Sequence, residues 1–234
     1  MKWSAACALA CMLHAPAYAE PAWSTAPGQH AETFEGTQFQ LYLPPLKAGE
    51  RLPLLVFLHG SGERGDDVEK VKVHGPPKLA AQGRQLPFIV ISPLLGKDQD
   101  WEAARIMALI GAAQARLPVD PGRIYLTGLS RGGRATWNIA AQYPHRFAAI
   151  APVAGGGKQE QACALREVPV WSFHGDADNV VPIAGNQAMV DAIRACGGKP
   201  RFTVYPGVGH DSWTASYDNP ELYAWLLKYR IEAP

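Results

Sequence analysis

A serine lies between two glycines in Gly128-Leu129-Ser130-Arg131-Gly132, and a further glycine follows at 133. A primary hydroxyl is a poor nucleophile unless a base takes its proton and a carboxylate fixes that base in the right tautomer. The chain downstream supplies both kinds of group. Asp176 and Asp178 stand in "HGDADNVVP", and His210 stands in "VGHDSW". Of the two acids Asp178 is preferred, because Asp176 follows Gly175 at once and suits the shaping of a turn. His210 is the only histidine beyond the acid. The other six fit the role of base less well. His14 lies in the N-terminal leader, His30 in a loose lead-in and His145 after a helix, while His59, His74 and His174 precede glycine or proline-rich turns. The chemistry such a trio performs is acyl transfer through a covalent serine intermediate.

That chemistry also needs donors for the oxyanion. One candidate is the backbone N–H of Arg131, next to the serine. The other comes from the early glycine-rich loop "SGERGDD" and is assigned to the Ser61 N–H, with Gly62 as the alternative. His59 is read as a brace for that loop. Trp101 and Trp213 are candidates for lining the substrate pocket, each balanced against a plain packing role.

These residues need elements to hold them. "LPLLVFLHG" and "PFIVISP" are continuous apolar runs of the kind found in strands buried on both faces. "RIYLTGLS", "FAAIAPVAG", "VPVWSFHG" and "RFTVYPG" are further strands. "EAARIMALIGAAQARLP", "RGGRATWNIAAQYP", "PIAGNQAMVDAIRACGG" and "NPELYAWLLKYR" are helices between or after them. "TFEGTQFQLYLPP" alternates, with Phe39, Leu41 and Leu43 on one face. From about residue 53 strands and helices alternate, which predicts an α/β fold with a mainly parallel sheet covered on both faces. Ser130 then sits between a strand and a helix, the context a strained Gly-x-Ser-x-Gly turn requires. Asp178 and His210 fall at the carboxyl ends of later strands, where ligand chemistry sits in such sheets.

The length, 234 residues, suits one such domain, taken as 34–234 after a lead-in of 20–33. The formal net charge of +1, with lysines and arginines scattered, points to no nucleic-acid partner. Residues 1–19 join Lys2, an apolar run and Ala17-Tyr18-Ala19, a secretory leader pattern too short to span a bilayer. Export to a periplasm or the medium is the expectation. Cys7 and Cys11 leave with the leader, so Cys163 and Cys196 are expected to form one disulfide, with two unpaired buried thiols as the alternative. Neither cysteine has neighbours at metal-ligand spacing, and neither a metal nor a cofactor is expected.

In combination, "LLVFLHGSGERGDD", "YLTGLSRGGRATW", "FHGDADNVVP" and "GVGHDSWTASYDNPELYAWLL" resemble the blocks of the α/β-hydrolase superfamily. More narrowly, they resemble its esterase and peptidase group related to dienelactone hydrolases, secreted feruloyl and acetyl esterases and polyhydroxybutyrate depolymerases. The resemblance runs from about residue 53 to the end. It implies hydrolysis, without metal or cofactor, of a carboxylic ester, the substrate being a short-chain, carbohydrate-linked or phenolic ester, with Ser130, Asp178 and His210 as the triad. Arg131 departs from the pattern, since many relatives carry an apolar residue there. No long insertion separates the strand at 148–154 from Cys163, so no large lid is expected. Two rivals remain open at this stage: a peptidase resembling the prolyl oligopeptidase catalytic domain, and a silent binding protein on the same fold.

Overall fold

The structure is a computed structural model and describes residues 22–231. The leader at 1–19 lies outside the described residues. Eight strands form one sheet: β1 (Gly28–Phe34), β2 (Thr37–Leu43), β3 (Leu52–Leu58), β4 (Ile89–Pro93), β5 (Val119–Leu129), β6 (Ala149–Val153), β7 (Trp171–Gly175) and β8 (Arg201–Tyr205). Their order is β1-β2-β4-β3-β5-β6-β7-β8. The pairs β1–β2 and β2–β4 are antiparallel and all the others parallel.

The apolar runs explain this sheet. All seven residues of β3 are buried. Leu54, Val56 and Leu58 enter the core on one face, and Leu55 and Phe57 enter the core on the other. Successive strand side chains point to opposite faces, so only a sheet covered on both sides can bury such a run. The covering helices are α1 (Gly75–Ala81), α2 (Ala103–Arg116), α3 (Arg131–Gln142), α4 (Ala184–Ala195), α5 (Trp213–Asp218) and α6 (Pro220–Leu226). Ile106 and Leu109 of α2, Trp137 and Ile139 of α3, and Met189 and Ile193 of α4 pack into the first core. Leu79 of α1, Tyr217 of α5, and Leu222 and Leu226 of α6 pack into the second. Each such side chain contributes about 1.5–3 kcal/mol when fully buried.

Three elements depart from the sequence reading: β1, α1 and α5, the last lying just before the expected closing helix. Residues 28–33, expected to be loose, are most of β1. The strand alternation is faint there because β1 is an edge strand with no fully buried residue. It is fixed by a two-residue hairpin turn at Glu35 and Gly36, with φ of 45° and 74°. Trp23 also packs against Phe34 and Phe39 at centroid distances of 6.1 and 4.9 Å. The second departure is α1, hidden in "GPPKLAA". Its prolines occupy the first turn, where a missing N–H costs nothing. Gly75 has φ of 65°, and a Cβ there would fall 2.5 Å from the Phe57 ring. The glycine thus lets the helix start against the sheet.

Candidate active site

Ser130 lies between β5 and α3, at the N-cap of the helix, with φ 52° and ψ −113°. A non-glycine residue in that region costs on the order of 1–3 kcal/mol, so the surroundings must impose it. They do so by close approach. A Cβ on Gly128 would fall 2.6 Å from the Gly132 backbone, and one on Gly132 would fall 1.9 Å from the Leu58 carbonyl oxygen. One on Gly133 would fall 2.2 Å from the Val153 carbonyl oxygen. The Ser130 N–H donates to Val153 O at 2.9 Å, which ties the turn to β6. Glycines flank the serine because α3 starts against the backbones of β3 and β6.

Ser130 Oγ lies 3.0 Å from His210 Nε2, and His210 Nδ1 lies 2.7 Å from Asp178 Oδ2. With the Nδ1 proton donated to the carboxylate, Nε2 can accept the serine hydroxyl proton. Asp178 follows β7 and His210 follows β8. These two loops are stitched together: Ala177 N–H donates to Val208 O at 3.0 Å, and Gly207 N–H donates to Asp176 Oδ1 at 2.6 Å. Asp176 therefore shapes the turn, and Asp178 is the acid brought to the histidine. The Asp178 side chain is fully buried. Burial pushes its carboxyl pKa up. Hydrogen bonds from His210 and from the Val181 and Val180 N–H groups outweigh that and hold it below the usual carboxylate range.

A second histidine meets the same carboxylate, and the sequence reading did not give it this place. His174 Nε2 is 3.1 Å from Asp178 Oδ2 and 2.9 Å from Val181 O, with its side chain fully buried. Its Nδ1 lies 3.1 Å from Asn186 Nδ2. The Asn186 amide is oriented by Trp137, whose Nε1–H, a donor only, reaches Asn186 Oδ1 at 3.2 Å. His174 is thereby held with its proton on Nε2, facing the acid. The signal available in sequence was Asn186, a polar residue on the buried face of α4.

The early loop lies against the serine. A Cβ on Gly60 would fall 3.5 Å from Ser130 Cβ. His59 braces this loop, its Nδ1–H donating to Gly60 O at 2.7 Å and its Nε2 accepting from Leu95 N–H at 2.9 Å. The Arg131 side chain spans the cleft, with Nε donating to Ser61 Oγ at 2.9 Å and Nη1 3.1 Å from Asp100 Oδ1. Ser61 and Gly62 are exposed at the rim. Trp213 packs edge-on against His210 at 4.9 Å, inside the site. Trp101 packs against His59 at 5.0 Å and donates Nε1–H to His59 O at 3.3 Å, one step farther out. It lines a groove of about 450 Å³ along α3 with Arg131, Arg134 and Asn138.

The loop holds a residue that was overlooked. Glu63 is 6% exposed, its Oε1 3.5 Å from His74 Nε2 and its Oε2 3.6 Å from His59 Nδ1. Burial raises the pKa of its carboxyl, but the contact with His59 and the neighbouring His74 outweigh burial and lower it overall. Away from the site, Cys163 and Cys196 form a disulfide with Cα atoms 5.4 Å apart. Among the described residues no cluster of three or more His, Cys, Asp or Glu is arranged to hold a metal ion. No helix among them is long and apolar enough to cross a membrane.

A mainly parallel sheet, helices on both faces, and a serine, histidine and aspartate at its carboxyl edge define an α/β-hydrolase without a large lid. The phospholipase/carboxylesterase family model matches residues 97–219, more than half of the chain, and the chain belongs to that family. A bifunctional acetylxylan esterase/xylanase of Neocallimastix patriciarum is 27% identical over 157 residues, 62% of this chain and 22% of that protein. Poly(3-hydroxyalkanoate) depolymerase C of Paucimonas lemoignei is 33% identical over 107 residues, 45% of this chain and 25% of that protein. A crystal structure of a thermostable esterase superposes with a TM-score of 0.77 at 29% identity, covering 86% of this chain and 63% of that one. The aligned segments span half or less of the curated relatives' own lengths.

Proposed function

We propose that this chain hydrolyses carboxylic esters through an acyl-enzyme on Ser130. The observation that carries the reading is the continuous line from Ser130 Oγ to His210 Nε2 at 3.0 Å and from His210 Nδ1 to Asp178 at 2.7 Å. His210 takes the hydroxyl proton as Ser130 attacks the ester carbonyl. Asp178 fixes the imidazole tautomer and stabilises its cation. The Ser61 and Arg131 backbone N–H groups hold the oxyanion, each worth on the order of 3 kcal/mol. His210 then protonates the leaving alcohol, and water repeats the attack on the acyl-enzyme.

The chain acts outside the cytoplasm in this reading. The A-x-A pattern at 17–19 and the disulfide between Cys163 and Cys196 support export. N-terminal sequencing of the protein recovered from the producing cells should begin at Glu20, and a chain still starting at Met1 refutes cleavage. For the chemistry, Ser130→Ala should abolish fluorophosphonate labelling and lower p-nitrophenyl acetate turnover by at least about 10³-fold. A folded Ser130→Ala protein with near wild-type turnover overturns the proposal. Faster cleavage of prolyl amides than of esters would move the reading to a peptidase.

A further inference from the structure

We propose that the Arg131 guanidinium is a positioning group for the oxyanion. It holds Ser61 so that the Ser61 backbone N–H faces the carbonyl under attack, and Asp100 holds the guanidinium in turn. This rests on the ester-hydrolase reading and on Ser61 as an oxyanion donor, and adds to them the side chains that fix that donor.

Packing does not fix the loop at Ser61. Ser61 and Gly62 are exposed, and a Cβ built on Gly62 would meet no atom within 4 Å. Hydrogen bonds supply the order instead. Arg131 Nε donates to Ser61 Oγ at 2.9 Å, and Arg64 Nε donates to Ser61 O at 3.3 Å. Both guanidiniums are anchored on the segment after β4. Arg131 Nη1 lies 3.1 Å from Asp100 Oδ1, and Arg64 Nη1 donates to Lys97 O at 2.7 Å. The Ser61 N–H shares a planar peptide unit with the Gly60 carbonyl, which accepts from His59 Nδ1–H at 2.7 Å. That unit is therefore held on one side by His59 and on the other through Ser61. Of the groups that hold it, Arg131 is the one adjacent to Ser130, so it ties the loop donor to the turn that carries the nucleophile.

The place of Arg131 is an unfavourable one for a cation on local grounds. It opens α3, at the positive end of the helix dipole, and no acidic residue stands in that first turn. The counter-charge comes across the cleft from Asp100. Burial pushes the Asp100 carboxyl pKa up, but the Trp101 N–H and Arg131 outweigh that and keep it charged. The guanidinium fork meets Ser61 and Asp100 at once, which a lysine ammonium, a single point charge, does not match. Asp100 is exposed, so the ion pair adds little to global stability. Its use lies in the direction it gives the Ser61 N–H. That direction counts when negative charge develops on the carbonyl oxygen, so the gain falls on the transition state and not on the bound ester.

A double-mutant cycle on p-nitrophenyl acetate hydrolysis tests this, with Arg131→Met and Ser61→Ala, both of which keep the backbone N–H groups. Acylation and deacylation each pass through the oxyanion, so each variant should lower kcat by about three- to tenfold with KM nearly unchanged. The double variant should lose no more than the worse single one, because both substitutions break the same contact. Arg131→Lys should recover part of the loss. Affinity for a trifluoromethyl ketone should fall by the same factor as kcat. In that adduct Ser130 Oγ bonds to the carbonyl carbon, the carbonyl oxygen becomes an oxyanion, and the hydroxyl proton passes to His210. Unaltered kcat in Arg131→Met, a rise in KM alone, or additive losses in the double variant overturn the inference. So does ketone affinity that stays fixed while kcat falls, the result of a merely structural role, and poor folding of a variant does not disguise it. A wild-type chain with neither p-nitrophenyl acetate turnover nor fluorophosphonate labelling strikes at the hydrolase reading itself, and this inference falls with it.

Discussion

Two buried carboxylates border this site, and each stands between two histidines. Asp178 lies between His210 and His174, and Glu63 between His59 and His74. The ingredients match but the geometry differs. Asp178 Oδ2 has His210 at 2.7 Å and His174 at 3.1 Å, while its Oδ1 accepts from Val180 and Val181 N–H groups at 2.9 Å each. Glu63 has its histidines at 3.5 and 3.6 Å, and one oxygen is left without a hydrogen bond. A carboxylate that accepts all it can is fixed in place and serves one partner. A carboxylate oxygen left without a donor, as Glu63 Oε2 is, is held only by longer-range attraction. The difference teaches that charge and burial do not assign a role, whereas the count of satisfied lone pairs does.

The largest effect should come from the saturated side. Asp178→Asn keeps the volume but removes the charge that selects the His210 tautomer. kcat/KM for p-nitrophenyl acetate should fall by about 10³- to 10⁴-fold with little change in the folded structure. A loss under tenfold would mean that another group orients His210, and the contrast with Glu63 would collapse. Next comes the staple behind Asp178. The disulfide joins residues 33 apart and anchors the C-terminal end of α4, the helix that presents Asn186 to His174. Replacing both cysteines by serine should cost about 3–4 kcal/mol in urea unfolding on loop-entropy grounds. An unchanged midpoint would show that the staple adds nothing to this side. Third is His174→Phe, which keeps a ring and removes both nitrogens. Asn186 and Asp178 each lose a partner, so stability should fall by about 2–4 kcal/mol and kcat/KM by roughly tenfold. An unaltered rate in a destabilised protein would confine His174 to folding.

The same contrast explains what could be read from the chain alone. Ser130, Asp178 and His210 were legible because each ends a strongly apolar strand, and the order of such strands fixes which loops share an edge. Asp176 and Asp178 were separable because one follows a glycine that needs a turn former. A Cβ on Gly175 would indeed fall 2.1 Å from Val208 O. The histidines packed around each carboxylate were not legible. His174 faces Asp178 across a turn closed by Val180 and Val181, and no periodicity announces that fold-back. Glu63 lies in a glycine-rich loop with no periodic pattern to mark a buried position, yet it is buried in the structure. β1 was lost because an edge strand needs no buried face, and α1 because its prolines and glycine read as breakers.

The smallest effect, and the finest test of the comparison, is in acid. Burial pushes both carboxyls up, yet their partners more than offset it, so both titrate below their ordinary values in the folded chain. A depressed folded pKa contributes stability that is present above the unfolded value, about 3.9 for Asp and 4.3 for Glu, and is lost as pH falls through the folded value. Unfolding free energy should therefore decline as pH drops below about 4.5. Replacing either carboxylate by its amide should make that decline shallower, because the variant has one fewer proton to take up on unfolding. Asp178→Asn should flatten the curve more than Glu63→Gln, since four donors hold the first charge and only long approaches hold the second. Urea titrations of the three proteins from pH 6 to pH 3 decide it. Equal flattening would mean that the 3.5 and 3.6 Å contacts hold Glu63 as firmly as the short bonds hold Asp178, and the two carboxylates would then differ in address only.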